Sequence, residues 1–167
     1  GIGNTMTKPA LAFIGAGNMA AALIHGLVED GYPPDRITAA DADLAKLDVL
    51  GQRYGIRTSS DNTRAVADAD VIVMAVKPQV VREVARDLAP AISGRKPLVV
   101  SIAAGVPSAT LQDWLGGGVP VVRTMPNTPA MVQTGATALF ASPQASEEQR
   151  SHAESLMRAV GLTLWLD

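Results

Sequence analysis

The stretch that most constrains this chain is Leu11-Ala12-Phe13-Ile14-Gly15-Ala16-Gly17-Asn18-Met19-Ala20. An apolar run of strand length meets Gly-x-Gly-x-x-Ala, and a helical pattern starts at once: Met19, Leu23 and Leu27 recur every four residues, and Ile24 with Val28 widens the stripe. A buried strand that turns sharply into a helix presents unpaired N–H groups and the positive end of a dipole, which suits an anion such as a pyrophosphate. Gly15 permits the tight turn. Gly17 has no Cβ and lets a phosphate approach the backbone closely. Ala20 still allows the helix to pack near the strand, and Asn18 suits an N-cap.

The rest of the chain repeats the alternation. Gly31 to Pro34 forces a turn, and Ile37 to Ala40 reads as a second strand. Asp41 follows it, where an acidic residue would meet an adenosine ribose. Leu44, Leu47 and Leu50 mark a helix that stops near Gly55. Ile56 to Thr58 reads as a third strand, and 62–68 as a short helix. Val71 to Val76 and Leu98 to Ile102 are fully apolar runs, as parallel strands buried on both faces require. Lys77-Pro78 ends the first of them. The following helix carries Val81, Val84 and Leu88 and is expected to end before Pro90. Ala103-Ala104-Gly105 follows the second. A short helix over 108–115 is closed by Gly116 to Gly118, which reads as a turn rather than a phosphate cradle because no helix start follows it. Val121 to Thr124, Thr137 to Phe140 and Leu162 to Leu166 read as further strands. Ser146 with Glu148 and Gln149 opens a last helix, with Ala153, Leu156, Met157 and Val160 on its apolar face.

Strand and helix alternating over 167 residues argue a doubly wound α/β domain with a mainly parallel sheet. In such sheets the ligand sits where the strands end. The loops at Gly15–Met19, Asp41, Ala75–Pro78, Ala103–Gly105 and Met125–Pro129 should meet there. A net charge of -2 gives no basic footprint for nucleic acid, and no apolar run reaches the ~18 residues of a membrane helix. The absence of cysteine excludes thiolate chemistry and disulfides. No Ser-His-Asp order and no metal-spaced His/Glu cluster is present; His25 and His152 read as helix-face residues. Residues 1–7 read as a tag remnant and native N-terminus, with the native start at Met6, so the expected domain is 8–167 and the expected location cytoplasmic.

With its loops assembled, the chain resembles the N-terminal half of the pyrroline-5-carboxylate reductases. The resemblance rests on 13–20, on Ala69-Asp70-Val71 through Ala75-Val76-Lys77-Pro78-Gln79, on Val100-Ser101-Ile102-Ala103-Ala104-Gly105, and on Arg123-Thr124-Met125-Pro126-Asn127-Thr128-Pro129-Ala130, in order and at these spacings. It implies a Rossmann-like doubly wound sheet of about eight strands flanked by helices. It also implies an oxidoreductase of proline biosynthesis that passes hydride from NADPH or NADH to the C=N carbon of 1-pyrroline-5-carboxylate.

By this resemblance the cofactor would meet Ile14, Gly15, Ala16, Gly17, Asn18, Met19, Ala40, Asp41, Asn62, Ala75, Val76, Lys77, Pro78, Ile102, Ala103 and Ala104. Met125, Pro126, Asn127 and Thr128 would lie near the substrate. No residue is assigned as catalytic, since a protonated imine is already an electrophile. Asn62 reads equally as a helix N-cap. Arg123 is expected to pair with an acidic residue. A ribose-facing Asp41 favours NADH while the resemblance favours NADPH, so both are expected to bind.

The Gly-Ser-Gly-Pro opening of the family's C-terminal helical domain does not occur here. That domain, which carries the dimer contacts and the main carboxylate contacts, is therefore expected to be absent from this chain. The other readings are a dinucleotide sensor without catalysis and the cofactor domain of a β-hydroxyacid-type dehydrogenase; the 125–130 segment favours the reductase.

Overall fold

The computed structural model describes residues 8–125, 135–158 and 161–165. Strand β1 (Leu11–Ile14) leads into helix α1 (Asn18–Glu29), and a 3-10 turn at Pro34–Arg36 precedes β2 (Ile37–Ala40). Then come α2 (Leu44–Tyr54), β3 (Arg57–Ser59), α3 (Asn62–Val66), β4 (Val71–Met74), α4 (Pro78–Ile92), β5 (Leu98–Ser101) and α5 (Ser108–Trp114). The chain continues with β6 (Val121–Met125), β7 (Gly135–Ala141), α6 (Glu147–Arg158) and β8 (Gly161–Trp165).

These strands form one eight-stranded sheet in the order β3-β2-β1-β4-β5-β6-β7-β8. Every pairing is parallel except β6 with β7. The order reverses beside β1, which is the switch point where open parallel sheets bind ligands.

The apolar runs are explained by burial on both sheet faces. Successive side chains point to opposite faces. Leu11, Phe13, Val71, Val73 and Val100 pack with Leu23, Ile24 and Leu27 of α1, Leu47 and Leu50 of α2, and Leu156 and Met157 of α6. Ala12, Ile14, Ile72, Met74 and Val99 pack the other way, against Val66 of α3, Val81, Leu88 and Ile92 of α4, and Leu111 of α5. Each such Val, Leu or Ile contributes about 1.5–3 kcal/mol on burial. The Ser146 expectation holds: its Oγ accepts from the N–H of Gln149, whose Oε1 accepts from the N–H of Ser146. Beneath the sheet's other edge, burial pushes the Tyr32 phenol well above its usual range, and its OH donates to the carbonyl of Pro9.

Some local expectations are corrected. Helix α4 runs through Pro90 to Ile92. Proline removes one N–H there, but the last turn carries Ile92, which is 1% exposed and anchored in the core. Leu44, Leu47 and Leu50 do mark α2, with Leu47 and Leu50 buried and Leu44 exposed. Strand β4 stops at Met74, and Ala75 and Val76 already belong to the turn. Strand β3 sits one residue later than the sequence pattern suggests. The expectation for Val160 lies outside the described residues.

Candidate functional site

The turn between β1 and α1 is shaped by two glycines with different duties. Gly15 has φ +104°, and a Cβ added to it would sit 2.8 Å from the Ala75 carbonyl oxygen. Both the backbone angle and the close approach of the next loop demand glycine. Gly17 has φ −81° and ψ −166°, ordinary extended geometry, and a Cβ there would meet nothing within 4 Å. Nothing in the fold itself requires glycine at Gly17.

Gly17 is also the N-cap of α1, so Asn18 is the first helical residue rather than the cap. The first intrahelical bond runs from the N–H of Ala21 to the carbonyl of Gly17. No side chain caps the helix, and its first turn holds no acidic residue. Its N–H groups are left facing the strand ends, the arrangement that accepts an anion.

The other loops close around this turn through backbone bonds. Gly15 donates to the Ala40 carbonyl (2.8 Å), Ala75 to that of Ile14 (2.8 Å), and Ile102 to that of Met74 (3.1 Å). The structure thus brings Ile14–Met19, Ala40–Asp41, Ala75–Pro78 and Ile102–Ala104 to one sheet edge, as the alternation of elements predicts. Lys77 is exposed and is the N-cap of α4, with Pro78 as its first residue. Ala103 is buried and its N–H reaches Ser101 Oγ (3.4 Å), while Ala104 is exposed.

Asp41 does more than its place after β2 suggests. Its Oδ2 accepts from the Ala16 N–H and its Oδ1 from the Asp43 N–H, both at 2.8 Å. Its own N–H donates to the Ser59 carbonyl at 3.3 Å. The carboxylate therefore stitches the end of β2 to the glycine turn, a contact across 25 residues of sequence.

Asn62 is the first residue of α3 and half-buried. The N-cap is Asp61, whose Oδ1 accepts from Thr63 (2.9 Å) and Arg64 (3.4 Å), so the capping reading of Asn62 is corrected. Arg123 is corrected too. Among the described residues it forms no ion pair; its guanidinium lies 5.8 Å from the centroid of Phe140, its cross-strand neighbour in β7. Met125 ends β6 at the same edge, whereas Pro126, Asn127 and Thr128 lie outside the described residues.

His25 is half-buried, with Nδ1 3.1 Å from the Tyr54 hydroxyl between α1 and α2. No group of side chains suited to a metal ion occurs among the described residues, and none of their helices is long and apolar enough to cross a membrane. A cleft of about 630 Å³ lies at the opposite edge, where strands begin, lined by Lys8, Arg36, Asp70, Arg95, Glu148 and His152 among others. Three of its charged residues serve the fold: Arg95 donates to the carbonyls of Val66 and Ala69, and Arg36 pairs with Asp70 at 3.8 Å.

Comparison with known proteins supplies independent findings. A family profile described as "NADP oxidoreductase coenzyme F420-dependent" matches residues 10–105. A pyrroline-5-carboxylate reductase from Pseudomonas aeruginosa is 49% identical over 162 residues, covering 97% of this chain and 59% of that protein. The solved structure of a pyrroline-5-carboxylate reductase from Coxiella burnetii superposes with a TM-score of 0.94 at 42% identity, over 96% of this chain and 60% of that one. A Plasmodium falciparum pyrroline carboxylate reductase with NADP bound shares the fold, with a TM-score of 0.83 at 23% identity over 97% of this chain and 59% of that one. The chain thus spans about three-fifths of the length of these relatives.

Proposed function

The chain belongs to the family described as NADP oxidoreductase, coenzyme F420-dependent, and from that premise we propose that it is the dinucleotide-binding part of an enzyme that reduces 1-pyrroline-5-carboxylate to L-proline. The relatives at 49% and 42% identity carry that enzyme's name. The single observation that supports the site most is Gly17: a glycine that the fold does not need, set at the uncapped N-terminus of α1 above the switch point.

In this reading a bound NADPH or NADH supplies the hydride that reaches the C=N carbon. The residues of the chain bind and orient. Ile14 to Met19 take the pyrophosphate on the bare N–H groups of α1, and Ala40 and Asp41 take the adenosine ribose. Asn62, the first residue of α3 after the neighbouring strand β3, joins them in this role. Ala75 to Pro78 and Ile102 to Ala104 offer backbone and small side chains to the nicotinamide half. Met125, Pro126, Asn127 and Thr128 are the residues proposed to meet the imine. The opposing wall and the clamp for the substrate carboxylate are assigned to a C-terminal domain outside this chain, together with the dimer contacts. Holding donor and acceptor about 3–3.5 Å apart in the right orientation supplies ~7–11 kcal/mol of such a barrier. The chain alone is therefore expected to bind dinucleotide but turn over the imine poorly.

Joining this chain to the C-terminal part of the Pseudomonas relative tests the proposal. Oxidation of reduced cofactor that depends on 1-pyrroline-5-carboxylate, at about a thousandfold or more above the chain alone, is the expected result. Dinucleotide binding with no turnover in the chimera would point to a sensor. Equal turnover by the chain alone would mean that the substrate site is already complete within it.

A further inference from the structure

Asp41 is anchored at three points. Both carboxylate oxygens accept backbone N–H groups at 2.8 Å, and its own N–H donates to the Ser59 carbonyl. One of those donors, Ala16, lies inside the glycine turn that faces the anion. Swinging the side chain aside would break two hydrogen bonds, one of them the bond to the turn. A carboxylate whose two oxygens each accept one N–H donor keeps further lone pairs free.

We propose that this tethered carboxylate makes the chain select NADH over NADPH, with Asp41 acting as a specificity-determining residue that also positions the pyrophosphate turn. The inference rests on the dinucleotide reading of the site. The free lone pairs of Asp41 can accept from the two hydroxyls of an unphosphorylated adenosine ribose. A 2′-phosphate offers no such donors and brings like charge to a group that cannot move away. An untethered aspartate could rotate toward solvent and tolerate the phosphate; this one is pinned by the loop that must itself stay in place for binding. A cation in the ribose loop could offset the repulsion, but the segment after β2 reads Asp41-Ala42-Asp43-Leu44-Ala45, and the first cation is Lys46, the third residue of α2. The amide of Lys46 is already among those capped by Asp43.

Two variants separate charge from tether. Asp41→Asn removes the charge and keeps one acceptor oxygen, which can still hold the Ala16 N–H. Asp41→Ala removes both. Affinities of the intact chain for NADH and NADPH are measured by nicotinamide fluorescence, with folding checked by circular dichroism. The unsubstituted chain is expected to bind NADH about tenfold or more tightly than NADPH. In Asp41→Asn the ratio falls to about threefold or less, mainly through tighter NADPH binding. In Asp41→Ala the ratio falls in the same way, and both affinities drop because the turn loses its bond at Ala16. A preference for NADPH in the unsubstituted chain overturns the inference. So does a ratio that neither variant moves, which would place the carboxylate away from the ribose. A selective loss of NADPH binding in Lys46→Ala would likewise overturn it, by showing that the ribose loop is built around a cation. If neither cofactor binds the unsubstituted chain, the dinucleotide reading itself fails, an outcome distinct from binding without discrimination.

Discussion

Helices α1 and α2 leave the same sheet edge, one after β1 and the other after β2, yet they begin in opposite ways. The first turn of α2 is closed by its own chain: Asp43 Oδ1 accepts from the N–H groups of Ala45 (3.0 Å) and Lys46 (3.4 Å). The first turn of α1 has no cap and no acidic residue. The difference follows what each helix buries. Helix α1 sinks Ala20, Leu23, Ile24 and Leu27 into the core and holds without a cap, while α2 buries only Leu47 and Leu50 and gains about 1 kcal/mol from Asp43. Helix α3, with Val66 as its buried residue, is capped by Asp61 in the same manner. Side-chain caps thus sit on α2 and α3, whereas α1 at the switch point has none; α4, with Pro78 at its first position, and α5, after Pro107, also start without one.

The largest effect on this contrast is expected at Gly15. Gly15→Ala must hold a left-handed φ, costing about 1–2 kcal/mol, and must push away the Ala75 carbonyl, costing about 1–3 kcal/mol more. A lower urea midpoint with unchanged slope would confirm that this glycine serves the fold. A stability within about 0.5 kcal/mol of the original would show that the turn relaxes freely.

A smaller effect is expected at the capped helix. Asp43→Ala should cost about 1 kcal/mol of stability and leave dinucleotide affinity unchanged, since the backbone N–H that reaches Asp41 is retained. Urea unfolding and a cofactor titration on the same sample check both halves. A loss of affinity would mean that the two helix starts act as one unit.

The strands were legible in the sequence because parallel strands at the centre of a sheet are buried on both faces, so Leu11–Ile14 and Leu98–Ser101 stand out as unbroken apolar runs. Gly55, at φ +71°, closes α2 where the pattern places it. Caps were less legible. Asn18 and Asn62 both carry cap-forming side chains, but each falls one residue inside its helix, after Gly17 and Asp61. Side-chain preference does not distinguish N-cap from N1; the backbone angles of the preceding residue decide it. The neighbour of Arg123 depended on the antiparallel register that sets it across from Phe140, which no local pattern encodes. The position of Asp41 after β2 was legible, but its bond to Ala16 was not, because it needs β2 to lie beside β1 in the sheet.

The claim that α1 is left open for a ligand is tested most directly by Gly17→Asn. The backbone at Gly17 has N-cap geometry and space for a side chain, and asparagine is a better cap than glycine by a few tenths of a kcal/mol. Stability and NADH affinity are measured together, by thermal unfolding and by calorimetric titration. The expected result is a melting temperature that is unchanged or slightly raised, with affinity reduced about a hundredfold or more because the side chain occupies the pyrophosphate's place. Unchanged affinity would contradict the account and leave the Gly-x-Gly turn as an ordinary strand-to-helix corner.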